Sequence, residues 1–189
     1  GHSLGLRHNM MASAAYPTDS LRSESFTSRM GGTSASIMDY ARFNYVAQPG
    51  DNVKVMSPNI GPYDLMAIEW GYRWYPDGTN EDKVLSDLLG KYKGKEYRYS
   101  EAQPQRSAVD PRALSEDLGD DPVKSARLGV ENLKRVMPNL IEWTRNNKPG
   151  QNYDEAGNLY AAVIFQWSLY HYHVMANIGG IYMERPNVD

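Results

Sequence analysis

Two histidines six residues apart with a glycine midway, His2-Ser3-Leu4-Gly5-Leu6-Arg7-His8, constrain this chain more than any other stretch. On an unbroken α-helix the two rings would stand about 240° apart around the axis, too far round to grip one ion. Gly5 lifts that restriction. A glycine accepts the left-handed conformation that ends a helix, and a chain that turns there swings a histidine three residues later back toward the one three residues earlier. His2 and His8 can then offer two imidazole nitrogens to one tetrahedral zinc, which in catalytic sites takes three protein ligands and keeps a fourth position for water. One ligand is left unidentified. The plain alternative is that both histidines are surface residues of a frayed terminus.

A second stretch bears on that choice. Ser36-Ile37-Met38-Asp39-Tyr40 follows the small-residue run Gly31-Gly32-Thr33-Ser34-Ala35 and brings a methionine thirty residues after His8. In this order, His-x-x-Gly-x-x-His resembles the last two thirds of the signature His-Glu-x-x-His-x-x-Gly-x-x-His of the metzincin zinc proteases, and residues 36–40 resemble their Met-turn. The resemblance implies that His2 and His8 are zinc ligands and that Met38 is the apolar floor beneath them. It is nearest to the astacin and serralysin branches, whose tyrosine two residues after the methionine is an additional zinc ligand and oxyanion stabiliser; Tyr40 stands at that position. Asp39 departs from the histidine of those branches, and Asn9 departs from the residue that follows their last ligand. An ordinary buried tyrosine with a bonded hydroxyl is the alternative for Tyr40. The first histidine of the signature and its general-base glutamate fall before residue 1, so the expectation is an incomplete zinc site, weak zinc binding and no proteolysis by this chain alone.

Residues 63–72 and 110–121 resemble the C-terminal region of a large family of bacterial zinc-dependent metalloproteases. That resemblance implies a multi-domain Gram-negative parent that is periplasmic, outer-membrane-associated or secreted, with a peptide or protein substrate and with upstream domains of the same polypeptide as partners. On this reading, residues 1–76 are the C-terminal part of a metzincin-like catalytic domain and residues 77–189 are a helical extension.

Composition narrows the remainder. A net charge of −3, from 20 basic and 23 acidic residues, gives no broad attraction to nucleic acid. No apolar run is long enough to span a membrane. With no cysteine, a metal must be held by His, Asp, Glu or Tyr. Fourteen tyrosines, four tryptophans and nine methionines point to a core or an interface of large amphipathic side chains.

The patterning predicts a mainly α fold. Residues 11–35 read as a long loop with one turn of helix, either lining a cleft or serving as a disordered connector. A mostly buried helix starts at Gly61-Pro62, and another is capped by Thr79 with Val84, Leu85, Leu88 and Leu89 as its stripe. Residues 97–100 alternate like a short strand, and 101–109 read as a polar loop. Asp110-Pro111 and Asp121-Pro122 both look like helix starts. Between them Glu116, Asp117, Asp120 and Asp121 form an acidic cluster that reads better as caps than as a calcium loop. A helix over 122–147, kinked at Pro138, and a second from about 153 to 178, apolar nearly all round, form an antiparallel pair. His171 and His173 on the second helix point about 200° apart, so they cannot share one ion. Two other functions compete: a non-catalytic helical binding or structural module with a vestigial zinc motif, and a different metal hydrolase that adds a carboxylate from 116–121 to His2 and His8.

Overall fold

The computed structural model describes residues 1–103, 109–145 and 148–184. Among these the regular elements are helical and there is no β-strand: α1 (Glu24–Met30), α2 (Pro62–Tyr72), α3 (Glu81–Leu89), α4 (Pro122–Val136), α5 (Leu140–Thr144) and α6 (Asp154–Met175), with short 3₁₀ turns between. Part of the polar loop expected over 101–109, the last residues of the helix expected to reach 147, and the tail from 185 lie outside the described residues.

The stretch 11–35 is ordered and holds more helix than the one turn expected of it. It folds into 3₁₀ turns at Ser13–Ala15 and Ser20–Arg22 and into α1, whose N-cap Ser23 accepts from the Phe26 amide. Small residues let these turns pack closely. Ala12, Ala15, Tyr16 and Leu21 join Ala35, Val46, Leu118 and Leu128 in one buried cluster, so the core draws on residues from both sides of position 76. Some hydroxyls of the stretch are satisfied locally or across the core, as in Thr27 to the Ser23 carbonyl and Thr18 with Ser125, whereas the buried hydroxyls of Tyr16, Thr33 and Ser34 find no partner among the described residues.

α2 starts where Gly61 sits against the Ala35 carbonyl. A Cβ on Gly61 would stand 2.1 Å from that oxygen, and the Tyr63 amide donates to it at 3.1 Å. Contrary to the expected burial, α2 shows much of its apolar surface to solvent: Leu65 is 65% exposed and the following Trp74 77%, while only Asp64 and Met66 are buried. The large side chains are spread around the axis, so a single contact face cannot cover them. α3 is capped by Asn80, which accepts from the Lys83 amide, rather than by Thr79, whose hydroxyl goes to the Pro76 carbonyl.

Residues 97–100 form no strand, because no neighbouring strand lies beside them to pair with. They are held instead by Asn9: its amide donates to the Arg98 carbonyl at 2.8 Å and its oxygen accepts from the Ser100 amide at 3.1 Å. Asp110-Pro111 starts a turn and no helix; the Asp110 carboxylate is taken by Arg112 and the Met183 amide instead of capping. Asp121 does cap α4, accepting from the Lys124 amide. Pro138 ends α4 at Val136; a 3₁₀ turn and the short α5 follow in place of one long helix. α4 packs on α6, crossing where Gly129 meets the Tyr170 ring so closely that a Cβ would stand 2.5 Å from it. One face of α6, with Ala156, Val163, Tyr170 and His173, is buried, whereas Tyr160, Phe165, Trp167 and Met175 are exposed.

Candidate metal centre

His2 opens a 3₁₀ turn, His2–Leu4, that Gly5 closes at φ 75°, ψ 5°, the left-handed conformation. The turn is tied by Leu4 and Leu6 amides donating to the Gly1 carbonyl. Its effect is to bring the two rings together: His2 Nε2 and His8 Nε2 stand 3.2 Å apart, with ring centroids at 4.6 Å.

The opposite nitrogens settle the tautomers. His2 Nδ1 lies 2.9 Å from the Leu6 carbonyl and His8 Nδ1 2.9 Å from the Met38 carbonyl. A carbonyl only accepts, so each Nδ1 carries a proton, and in its neutral form each ring turns an Nε2 lone pair toward the other. Two lone pairs facing at that distance repel unless something positive lies between them. Two nitrogens on a tetrahedral zinc at about 2.0–2.1 Å would be about 3.3–3.4 Å apart. The pair therefore fits two corners of such a site, with the outer-shell carbonyls that metal-bound histidines ordinarily use.

Met38 and Tyr40 stand at this site. The Met38 side chain is buried, its sulfur directly against Gly1 with no room for a Cβ there. The Tyr40 ring lies 4.3 Å from the His8 ring and is half exposed, so it is not the ordinary buried tyrosine. Tyr72 of α2 donates its hydroxyl to the Leu4 carbonyl at 3.0 Å, linking α2 to the histidine turn. Beside the pair opens a cavity of about 300 Å³ lined by His2, Leu6, Arg7, His8, Tyr99 and Glu101, with the Arg7–Glu101 ion pair at 2.8 Å.

The other candidates lie elsewhere. His173 is buried with Nε2 on the Ser115 carbonyl, and burial holds its pKa below the usual imidazole value; exposed His171 bonds the Trp167 carbonyl. The acidic cluster is dispersed: Glu116 pairs with Arg42, Asp117 accepts from the Ser13 hydroxyl, Asp120 from the Thr18 amide, and Asp121 caps α4. Among the described residues no group of three or more His, Cys, Asp and Glu side chains is placed to hold a metal. This removes the reading in which a carboxylate from 116–121 joins the two histidines.

Sequence reasoning missed two buried features. Asp39, noted only as a departure, accepts the Ser13 amide at 2.6 Å and is pushed up to about 7 by burial. Asp117, on the other side of Ser13, is raised by burial and then by the Asp39 charge; Asp39 Oδ1 and Asp117 Oδ2 find no partner among the described residues. Asp64, on the first turn of α2, bonds residues 36–37 across 27 to 28 positions, a contact for which no spacing rule exists.

None of the curated proteins and none of the solved structures matches the chain. A family model described as Met-zincin matches residues 1–189. That match and the facing histidines, reached by separate routes, agree: the chain belongs to the Met-zincin family, a family of zinc metalloprotease type.

Proposed function

We propose that this chain carries two zinc ligands, His2 and His8, of a metalloendopeptidase that hydrolyses bonds in peptide or protein substrates. The observation that carries the reading is the pair of Nε2 atoms 3.2 Å apart, each with its ring proton committed on the far side. Zinc at this position supplies a Lewis acid that polarises a peptide carbonyl and acidifies water. The chain's residues do the remainder. The Leu6 and Met38 carbonyls hold the rings in the binding tautomer, and the buried Met38 thioether packs against Gly1, next to His2. Tyr40, exposed beside His8, offers a phenol that donates to negative charge developing on the substrate. The cavity along Tyr99 and Glu101 leaves room for a peptide.

The third histidine and the proton-accepting glutamate belong, on this reading, to residues three and two positions before Gly1, so residues 1–189 alone bind zinc weakly and do not cleave. The test is a longer chain that includes those positions. It should hold one zinc per chain and cleave peptides, losing cleavage when the glutamate becomes glutamine and losing zinc on His8→Ala. A longer chain without His-Glu at those positions, or tight stoichiometric zinc in residues 1–189, overturns it.

A further inference from the structure

The orientation of His8 depends on one backbone oxygen. The Met38 carbonyl accepts from His8 Nδ1 at 2.9 Å and from the Asn9 amide at 3.1 Å, so wherever residue 38 goes the ring follows. What fixes residue 38 is a side chain from α2. The Ser36 hydroxyl accepts from the Met38 amide at 2.9 Å and donates to Asp64 Oδ1 at 2.5 Å. Asp64 Oδ2 accepts from the Ile37 amide and from the Gly61 amide, both at 2.8 Å. Asp64 is 3% exposed, so water does not compete for these bonds. A cap at the third position of a helix needs only the Gly61 contact. The Ser36 and Ile37 contacts are additional, and both aim at the turn that presents the Met38 carbonyl.

We propose that Asp64 is a positioning residue for the metal centre: its buried carboxylate clamps residues 36–38 so that the Met38 carbonyl holds His8 in the Nδ1-protonated tautomer with Nε2 toward His2. The proposal rests on the reading of His2 and His8 as ligands, but its first measurement needs no metal. Groups bonded directly to a metal ligand ordinarily change metal affinity about 10- to 100-fold when removed; Asp64 acts through the Met38 carbonyl, so that range is the ceiling for its effect.

The experiment uses residues 1–189 without metal, at a pH where imidazole is neutral, and reads the His8 tautomer from long-range ¹H–¹⁵N correlations. The wild-type chain should show the Nδ1-protonated form alone. Asp64→Ala should give a mixture of tautomers at His8 and leave His173, far from the clamp, unchanged. Ser36→Ala, which keeps the Ile37 and Gly61 bonds, should shift His8 less, and Asp64→Asn, which keeps one acceptor oxygen, should fall between. If Asp64→Ala fails to fold by far-UV circular dichroism, Ser36→Ala and Asp64→Asn decide. Cobalt(II) titration then gives the order of affinity, wild type above Ser36→Ala above Asp64→Ala. Folded variants with an unaltered His8 tautomer and cobalt affinity within twofold overturn the positioning role. A His8 tautomer that shifts in the variants as expected, beside a longer chain that includes the upstream histidine and glutamate yet binds no cobalt, keeps the clamp and overturns the ligand reading instead.

Discussion

The histidine end of the molecule and the α4–α6 pair are held together by different means. Around His2 and His8 the backbone is irregular, and the bonds that shape it run from side chains to main-chain groups: Asp64 to the Ile37 and Gly61 amides, Asn9 to Arg98 and Ser100, and each histidine to a carbonyl. The helix pair meets through side-chain packing, with a glycine admitting a tyrosine ring, and leaves a broad apolar face of α6 exposed. Directional bonds place atoms to tenths of an ångström, as a metal site needs, while apolar packing tolerates adjustment. The two regions should therefore respond differently to the same kind of change.

The sharpest way to break this contrast is Gly61→Ala. The added methyl meets the Ala35 carbonyl rather than a movable side chain. A loss of about 3 kcal/mol in urea unfolding is expected, the upper end for overpacking, together with a perturbed His8 signal. A mild effect would show that α2 docks more loosely than a clamp allows.

The buried carboxylates beside the site test the same region by pH. Asp39 titrates near 7 in the folded chain, against an unfolded value near 4, so the native state holds the extra proton between those limits. Stability should then fall as pH rises from about 4 to about 7, by on the order of 4 kcal/mol. Asp39→Asn should narrow the gap between unfolding free energies at pH 5 and pH 8, because asparagine still accepts from Ser13 and also relieves Asp117. An unchanged gap removes Asp39 from the explanation.

On the helix side, Gly129→Ala crowds the Tyr170 ring while improving helix propensity. The balance should be a loss of about 1 kcal/mol, seen as a lower melting temperature with the His8 tautomer unaltered. A change at His8 would erase the separation between the regions. Smallest is Asp121→Ala, which removes the α4 cap and should cost about 1 kcal/mol or less with no effect on cobalt binding.

What could be read from sequence follows the same division. The histidine spacing contained its own geometry, since only a glycine midway lets the rings meet, and Gly5 does take the left-handed turn. Asp121-Pro122 and Pro138 acted as local chemistry dictates. Asp110-Pro111 looked the same as Asp121-Pro122 yet makes only a turn, because Arg112 and the Met183 amide compete for the carboxylate. The exposure of α2 and the failure of 97–100 to become a strand were not legible, as both depend on which surfaces are adjacent. Asp64 was invisible for a related reason: within its helix it is one of two acids, at an ordinary capping position, and its role exists only through partners 27 and 28 residues earlier.

Asn9 has a consequence for how the chain could vary. It sits where His8, the Met38 carbonyl and residues 98–100 meet, so the chain from 38 to 98 is a loop of about sixty residues whose ends return to one point. Closure entropy grows only logarithmically with length. About ten further residues in the exposed turn at Asp77 and Gly78 would thus raise the closure cost by only about 0.1 kcal/mol. That turn is the natural place for a tag, a probe or a grafted domain, at a distance in sequence that the histidines need never register.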